Sequence, residues 1–329
     1  MSTPWTTDSV GDLAGRTAVV TGANTGIGRE VAAVLAAHGA TVVLACRDVA
    51  KAEAAASRLT GPRTPDVVAP DVVALDLGDL ASVRAAAARI RERYPRLDLL
   101  VNNAGVMWLP RQRTADGFER HLGVNHLGHF ALTGLLLDRL LGTPGSRVVT
   151  LSSNGHKSGR LELDDLHFER RRYRPTAAYT QSKLANLLFT YELQRRLEAA
   201  GAAGAATIAV AAHPGGSRTD LMRHSPPQIR IATSRPFYRL LPWLIQDAAH
   251  GALPPLRAAL DPAVRGGDYY GPDGWGEWTG SPVQVTSSPA SHDAASQRGL
   301  WAESERLTGV EYDFTPRSPA VPSGSGHPA

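Results

Sequence analysis

Cysteine is nearly missing from this chain of 329 residues. The single Cys46 excludes an internal disulfide and any zinc site built on paired cysteines. Lysine is almost as scarce: only Lys51, Lys157 and Lys183 occur, so nearly all of the 35 basic residues are arginines. Against 31 acidic residues they leave a net charge of +4, too dilute for a nucleic-acid-binding surface. No run of 18 apolar residues occurs, so no membrane span is expected, and the opening MSTPWTTDSVGDL lacks the charged-then-apolar pattern of a leader. The eleven histidines contain no His-x-x-x-His pair, and no metal is expected. A soluble, reduced, cytoplasmic protein is the expectation. At 43% hydrophobic and 20% charged, the chain has the means to bury a core, which excludes wholesale disorder.

What the chain does have is a regular alternation. Short β-branched runs at 17–21, 41–45, 72–76, 97–102, 147–152 and 207–213 are separated by segments of helical period near 26–38, 48–59, 79–94, 117–141, 177–200 and 246–260. Each run is apolar without alternation, as in strands buried on both faces. The pattern predicts an α/β fold: a single-domain, Rossmann-type doubly wound parallel sheet with helices on both faces, binding its ligand beyond the carboxyl ends of the strands. Tyr269-Tyr270 is expected to add an edge strand, and a last helix near 296–309 to dock through Leu300, Trp301 and Leu307. Residues 1–14 read as a flexible lead, 15–312 as the folded domain, and the Pro/Ser/Gly-rich 313–329 as a disordered tail.

Directly after the first run comes Gly22-Ala23-Asn24-Thr25-Gly26-Ile27-Gly28, opening the first helix. Gly22 permits a tight turn, Gly26 lets backbone approach a pyrophosphate, and Gly28 lets helix pack closely on strand. The helix start then offers free N–H groups to the phosphates. Farther on, Tyr179 and Lys183 stand four residues apart, on one face of a predicted helix. A phenol of ordinary pKa near 10 is a poor proton donor or acceptor at neutral pH unless a cation stabilises its phenolate, and Lys183 is placed to do that.

The TGxxxGxG loop and the YxxxK pair resemble the fingerprint of the short-chain dehydrogenases/reductases, over residues 15–260 or so. The resemblance implies a nicotinamide-dependent oxidoreductase and assigns further positions in order. Cys46-Arg47 ends the second strand where NAD-preferring members carry an acidic residue, which implies NADP(H) with Arg47 on the 2′-phosphate. The other reading makes Arg47 one arginine among many and Asp48 a helix cap. Asp76 and Leu77 correspond to the adenine-contacting pair, and Asn103, Ala104 and Gly105 to the turn after the fourth strand. Of Ser152 and Ser153, the second matches the catalytic serine that polarises the substrate oxygen, although 26 residues to Tyr179 is about twice the family's spacing. Asn125 matches the proton-relay asparagine. Pro214, Gly215 and Thr219 match the segment that holds the carboxamide, with His213 read as a packed strand-end residue.

Residues 220–245 fall where the family carries its substrate lid. With Trp108 and Leu221 they suggest an apolar pocket for a lipophilic or aromatic alcohol or carbonyl, ordinary lid packing being the other reading. The TGANTGIG loop, the ACRD strand end, YTQSKLAN and the long Ser-to-Tyr insert resemble the retinol-dehydrogenase and protochlorophyllide-reductase-like subgroup. Pairing of the fourth and fifth helices into a homodimer is a mild expectation. Two other functions stay open: a catalytically silent NADP(H)-binding sensor or scaffold, and a sugar-nucleotide epimerase. The intact Asn–Ser–Tyr–Lys set weighs against the first, and the glycine spacing against the second.

Overall fold

The structure, a computed structural model, describes residues 4–59, 69–201, 206–217 and 245–315. Eight strands form one sheet in the order β3-β2-β1-β4-β5-β6-β7-β8. They are β1 (Thr17–Thr21), β2 (Thr41–Cys46), β3 (Asp71–Ala74), β4 (Leu99–Asn102), β5 (Arg147–Leu151), β6 (Ile208–Ala212), β7 (Tyr269–Pro272) and β8 (Pro282–Gln284). All neighbours run parallel except β7 and β8, which are antiparallel. The strand order reverses between β1 and β4, which opens a crevice at the carboxyl edge.

Why both faces are buried follows from the strand sequences. Ala18, Val20, Leu99, Val101, Val149 and Val210 point to one side, where α1 (Gly26–Ala37), α2 (Val49–Leu59) and α8 (Ala248–Leu260) cover them. Val19, Leu100, Val148 and Ala209 point to the other, under α3 (Leu80–Arg93), α5 (Gly128–Leu135), α7 (Pro175–Ala199) and α9 (Ala294–Thr308). Apolar residues at consecutive positions therefore serve two cores, one on each face of the pleat. Asp79, Asp247 and Asp293 start α3, α8 and α9 by accepting hydrogen bonds from first-turn N–H groups. α9 docks as its apolar residues predict: Leu300 and Trp301 are buried, and Trp301 packs edge-on against Phe130. Burying such an indole contributes on the order of 3 kcal/mol.

Four expectations are corrected. Tyr269-Tyr270 is not the edge, because the Gly-rich turn after Pro272 folds the chain back and β8 pairs outside it. The segment 117–141 is not one helix. It divides into α4 (Arg120–Leu122), a π-turn at Gly123–Leu127, α5 and α6 (Leu137–Leu141), with Leu136 (φ −106°, ψ 1°) outside helical geometry. The lead is not free of the body: Val10 and Leu13 lie in the core, and the Leu13 N–H donates to the His38 carbonyl at 2.7 Å. The folded body also runs past 312, since Phe314 stacks on Trp301. The expected tail beyond 315 lies outside the described residues.

Candidate active site

The glycine loop has the geometry its residue types require. Gly22 and Gly26 take φ of 66° and 57°, values that side-chain-bearing residues rarely adopt. A Cβ on Gly28 would collide with Asn103 Nδ2 and come within 2.8 Å of the Gly22 carbonyl. The loop is clasped from below by Thr21, whose hydroxyl accepts the N–H groups of Asn103 and Ala104, both at 2.9 Å. Asn103 Nδ2 answers by donating to the Thr21 carbonyl at 2.7 Å. The His129 ring lies between this clasp and the π-turn. A carbonyl can only accept, so the contact of His129 Nδ1 with Asn125 O (3.0 Å) places the proton on Nδ1 and leaves Nε2 to accept from Thr21 at 2.9 Å. Burial pushes the His129 pKa down to about 4, which keeps the ring neutral.

These features make a cradle of backbone at the start of α1, flanked by the half-buried Asn24 and Thr25 with the Ile27 side chain in the core beneath, that fits a dinucleotide pyrophosphate. Cys46 lies under the same loop; burial pushes its thiol up to about 11, against hydrogen bonds from the Asn24, Ala23 and Gly22 backbone. Arg47 is exposed at the end of β2, while Asp48 starts α2 by accepting the Lys51 N–H at 3.1 Å. Asp76 caps its own turn through the Gly78 N–H (2.8 Å). The Leu77 side chain packs in the core, and its carbonyl lies against Gly128.

The catalytic candidates converge at the ends of β5 and α7. Ser153 Oγ and the Tyr179 ring both border Gly155, and Ser153 Oγ accepts the Gly155 N–H at 3.1 Å. Ser152 Oγ donates to the Lys183 carbonyl at 2.8 Å. Lys183 Nζ, one turn along α7 from Tyr179, donates to Leu151 O at 3.0 Å. Asn125 sits at the centre of the π-turn, a break in regular helix that is frequent at functional sites. Its amide closes a double bond with Val106, accepting N–H at 2.7 Å and donating to C=O at 3.0 Å. Gly105 lies against Asn125 Oδ1 and Lys183 Nζ, so a larger residue there would press on both.

The electrostatics differ from the sequence expectation in one respect. Burial raises the Tyr179 pKa, with the nearby Ser153 hydroxyl opposing it, and Lys183 does not reverse the shift. Burial also lowers Lys183 to about 8. The phenol therefore holds its proton at neutral pH, the state required of an acid.

Around the carboxamide-side segment, Gly215 takes φ 61° and lies against the Trp278 carbonyl, which also accepts the Gly216 N–H at 2.7 Å. Pro214 O accepts from Gln246 Nε2 at 3.0 Å. Thr219, Leu221 and nearly all of the expected lid at 220–245 lie outside the described residues. Trp108 is half-buried, in a loop at φ 55°.

Sequence reasoning missed the loop 273–281. Glu277 there pairs with Lys157 Nζ (2.8 Å) and stands 3.1 Å from His213 Nε2, outside hydrogen-bond geometry. His213 and Lys157 hold the Glu277 carboxyl down to about 2 against the opposing effect of burial. Asn154 Nδ2, next to Ser153, donates to the Gly276 and Glu277 carbonyls at 3.0 and 3.1 Å. The loop thus ties the serine turn to the segment after β6 and carries two exposed indoles, Trp275 and Trp278. The one available signal was the dense Gly/Trp run DGWGEWTG following a strand.

A glycine cradle at a switch point, with Ser, Tyr and Lys converging beside it, defines a dehydrogenase of the doubly wound class. The short chain dehydrogenase family model matches residues 16–230, and the chain belongs to that family, whose members are alcohol/carbonyl oxidoreductases using a nicotinamide cofactor. Within it the chain is similar to the retinol dehydrogenases. It is 43% identical to human retinol dehydrogenase 13 over 302 residues, covering 91% of this chain and 86% of that one. Among solved structures, an uncharacterized protein from Mycobacterium paratuberculosis is 43% identical with a TM-score of 0.76, over 94% of this chain and 100% of the other. A short chain dehydrogenase from Shigella flexneri complexed with NADP is 26% identical with a TM-score of 0.59, over 77% and 95%. No described helix is long and apolar enough to cross a membrane.

Proposed function

We propose that the protein transfers hydride between NADP(H) and a lipophilic or aromatic alcohol or carbonyl. The observation that carries this reading is the convergence of Ser153 Oγ and the Tyr179 ring about Gly155, with Lys183 one helical turn away. When bound, the nicotinamide supplies or accepts the hydride. Ser153 donates to the substrate oxygen and steadies the charge that develops there. Tyr179 gives its proton to the same oxygen in reduction and takes it back in oxidation. Lys183 replaces the charge and proton from the inner side, and Asn125 holds the Gly105–Val106 backbone beside it so that the relay to solvent stays open. Arg47, exposed at the end of β2, supports NADP(H) over NAD(H) by offering a guanidinium to a 2′-phosphate. The surviving apolar candidate, Trp108, supports the substrate class.

The test is a fluorescence titration with NADPH and NADH, followed by turnover on bulky carbonyls and alcohols. The wild type binds NADPH more tightly than NADH and turns over at least one of the panel. Tyr179→Phe binds NADPH as the wild type does but loses about three orders of magnitude in kcat. Retained turnover in that variant removes Tyr179 from the role. Arg47→Ala raises the KM for NADPH by about tenfold or more and leaves that for NADH within about twofold. Equal changes with both cofactors defeat the NADP(H) preference.

A further inference from the structure

Beside Tyr179, three polar side chains meet that the proton relay does not use. Glu119 and His121 belong to the entry of α4 and are 2% and 0% exposed, and Tyr173 comes from the end of the long insert before α7. Glu119 Oε1 accepts from His121 Nδ1 at 2.9 Å, and its carboxylate also receives the N–H groups of His121 (3.0 Å) and Leu122 (2.7 Å). With the proton on Nδ1, Nε2 is free to accept, and it takes the Leu109 N–H at 3.2 Å. The Tyr173 hydroxyl lies 3.2 Å from both the Leu109 carbonyl and Glu119 Oε1. Both backbone groups of Leu109 are therefore held by this cluster.

The residue so constrained follows Trp108, whose φ of 55° is unfavourable for a side-chain-bearing residue and persists only where its surroundings over-determine it. On the near side the same loop is held at Val106 by Asn125. The His121 ring also stands edge-on to the Tyr179 ring, with centroids 6.4 Å apart. A buried carboxylate is costly unless fully hydrogen-bonded, and here every bond it makes serves the loop, the helix start or the insert. The insert is itself anchored to α7, since Arg171 donates to Gln181 Oε1 and Gln181 Nε2 donates to the Leu166 carbonyl, both at 2.9 Å.

We infer that Glu119, His121 and Tyr173 form a clamp that fixes Trp108 as a rigid wall of the substrate pocket, and that the insert exists to deliver Tyr173 to it. The three are positioning residues: they select bulky carbonyls over small ones and leave proton transfer to Ser153, Tyr179 and Lys183. The size selection rests on the hydride-transfer reading above; the clamp itself does not.

The experiment has two arms. In the first, amide hydrogen exchange of Leu109 is measured in the full chain, in His121→Phe, which removes the acceptor of its N–H, and in Tyr173→Phe, which removes only a hydroxyl. Exchange at Leu109 speeds up by about tenfold or more in His121→Phe and by a smaller factor in Tyr173→Phe. In the second, kcat/KM with NADPH is compared for 2-naphthaldehyde and propanal. Tyr173→Phe loses about tenfold on naphthaldehyde, mainly in KM, and stays within about threefold on propanal. Unchanged Leu109 exchange in the soluble variants overturns the clamp, and equal losses on the two aldehydes overturn the selection. Should His121→Phe fail to fold, Tyr173→Phe decides both arms. A wild type that reduces neither aldehyde defeats the hydride-transfer reading and the selection with it, and the exchange arm alone then decides the clamp.

Discussion

The two walls of the crevice are made of different materials. The cofactor wall is backbone: Gly22, Gly26 and Gly28 keep a cradle open, and Thr21 and Asn103 clasp β1 to β4 through main-chain groups. The wall proposed for the substrate is side chain: Glu119, His121 and Tyr173, and the Lys157–Glu277 pair, hold together loops that lie far apart in sequence. A backbone wall recognises something every member of a family shares, and it tolerates few residue types. A side-chain wall can be rebuilt from different residues, which is what a variable substrate requires. The walls meet at α7, where the Tyr179 ring stands edge-on to His121 and Lys183 lies against Gly105.

The largest expected effect comes from filling the backbone wall. In Gly28→Ala the new methyl collides with Asn103 Nδ2, which cannot retreat without giving up its bond to the Thr21 carbonyl. Overpacking of this kind costs about 1–3 kcal/mol of stability. NADPH affinity should fall by about two orders of magnitude, because the strand-to-helix turn that presents the N–H groups must shift. A titration of the folded variant checks it; wild-type affinity would mean that the cradle is not the phosphate site.

The seam between the walls should show in pH dependence. Burial lowers Lys183 to about 8, below its unfolded value near 10.4. A lysine shifted in that direction opposes folding while it is charged. The penalty, about 3 kcal/mol at most, is full below about pH 8 and is lifted as pH rises toward 10.4. The stability difference between Lys183→Met and wild type, from denaturant midpoints, should therefore favour the variant most at pH 7 and shrink by pH 10. A difference that does not vary with pH removes the burial argument. In the wild type, kcat/KM for carbonyl reduction should fall about tenfold per unit above pH 8 as the ammonium is lost.

The same contrast explains how much was legible in the sequence. Strand positions were readable because burial on both faces leaves unbroken apolar runs, and the cradle because only glycine meets its backbone demands. Tyr179, Lys183 and Ser153 were readable as a pattern, and the structure brings them together. The π-turn was not: the helical period runs on through Gly123–Leu127, and only the bonds of Asn125 to Val106 show why the helix breaks there. The direction of the Tyr179 shift was also hidden, since it depends on burial set by the whole fold. Glu277 and Tyr173 gave no signal because their partners lie tens of residues away or more, and a charged residue in a loop reads as solvated surface until those partners are known.

The smallest expected effect tests the far end of the substrate wall. Glu277 (φ 58°) ties the Trp275–Trp278 turn to Lys157 and faces the His213 ring. Glu277→Gln keeps the shape and removes the charge, so the turn loosens without a cavity. KM for a bulky carbonyl should rise about three- to tenfold, while kcat and the NADPH affinity stay within about twofold. A second reading separates a loosened wall from a damaged fold. Glu277 is depressed to about 2, so its stabilising contribution is full above its unfolded value near 4.3 and is lost as pH falls through about 2. The wild type should lose stability over that window more steeply than Glu277→Gln in acid unfolding. If the two curves run parallel while KM still rises, the carboxylate shapes the pocket without bracing the loop. If KM is unchanged while the curves diverge, the brace is structural and the substrate wall ends at Trp108.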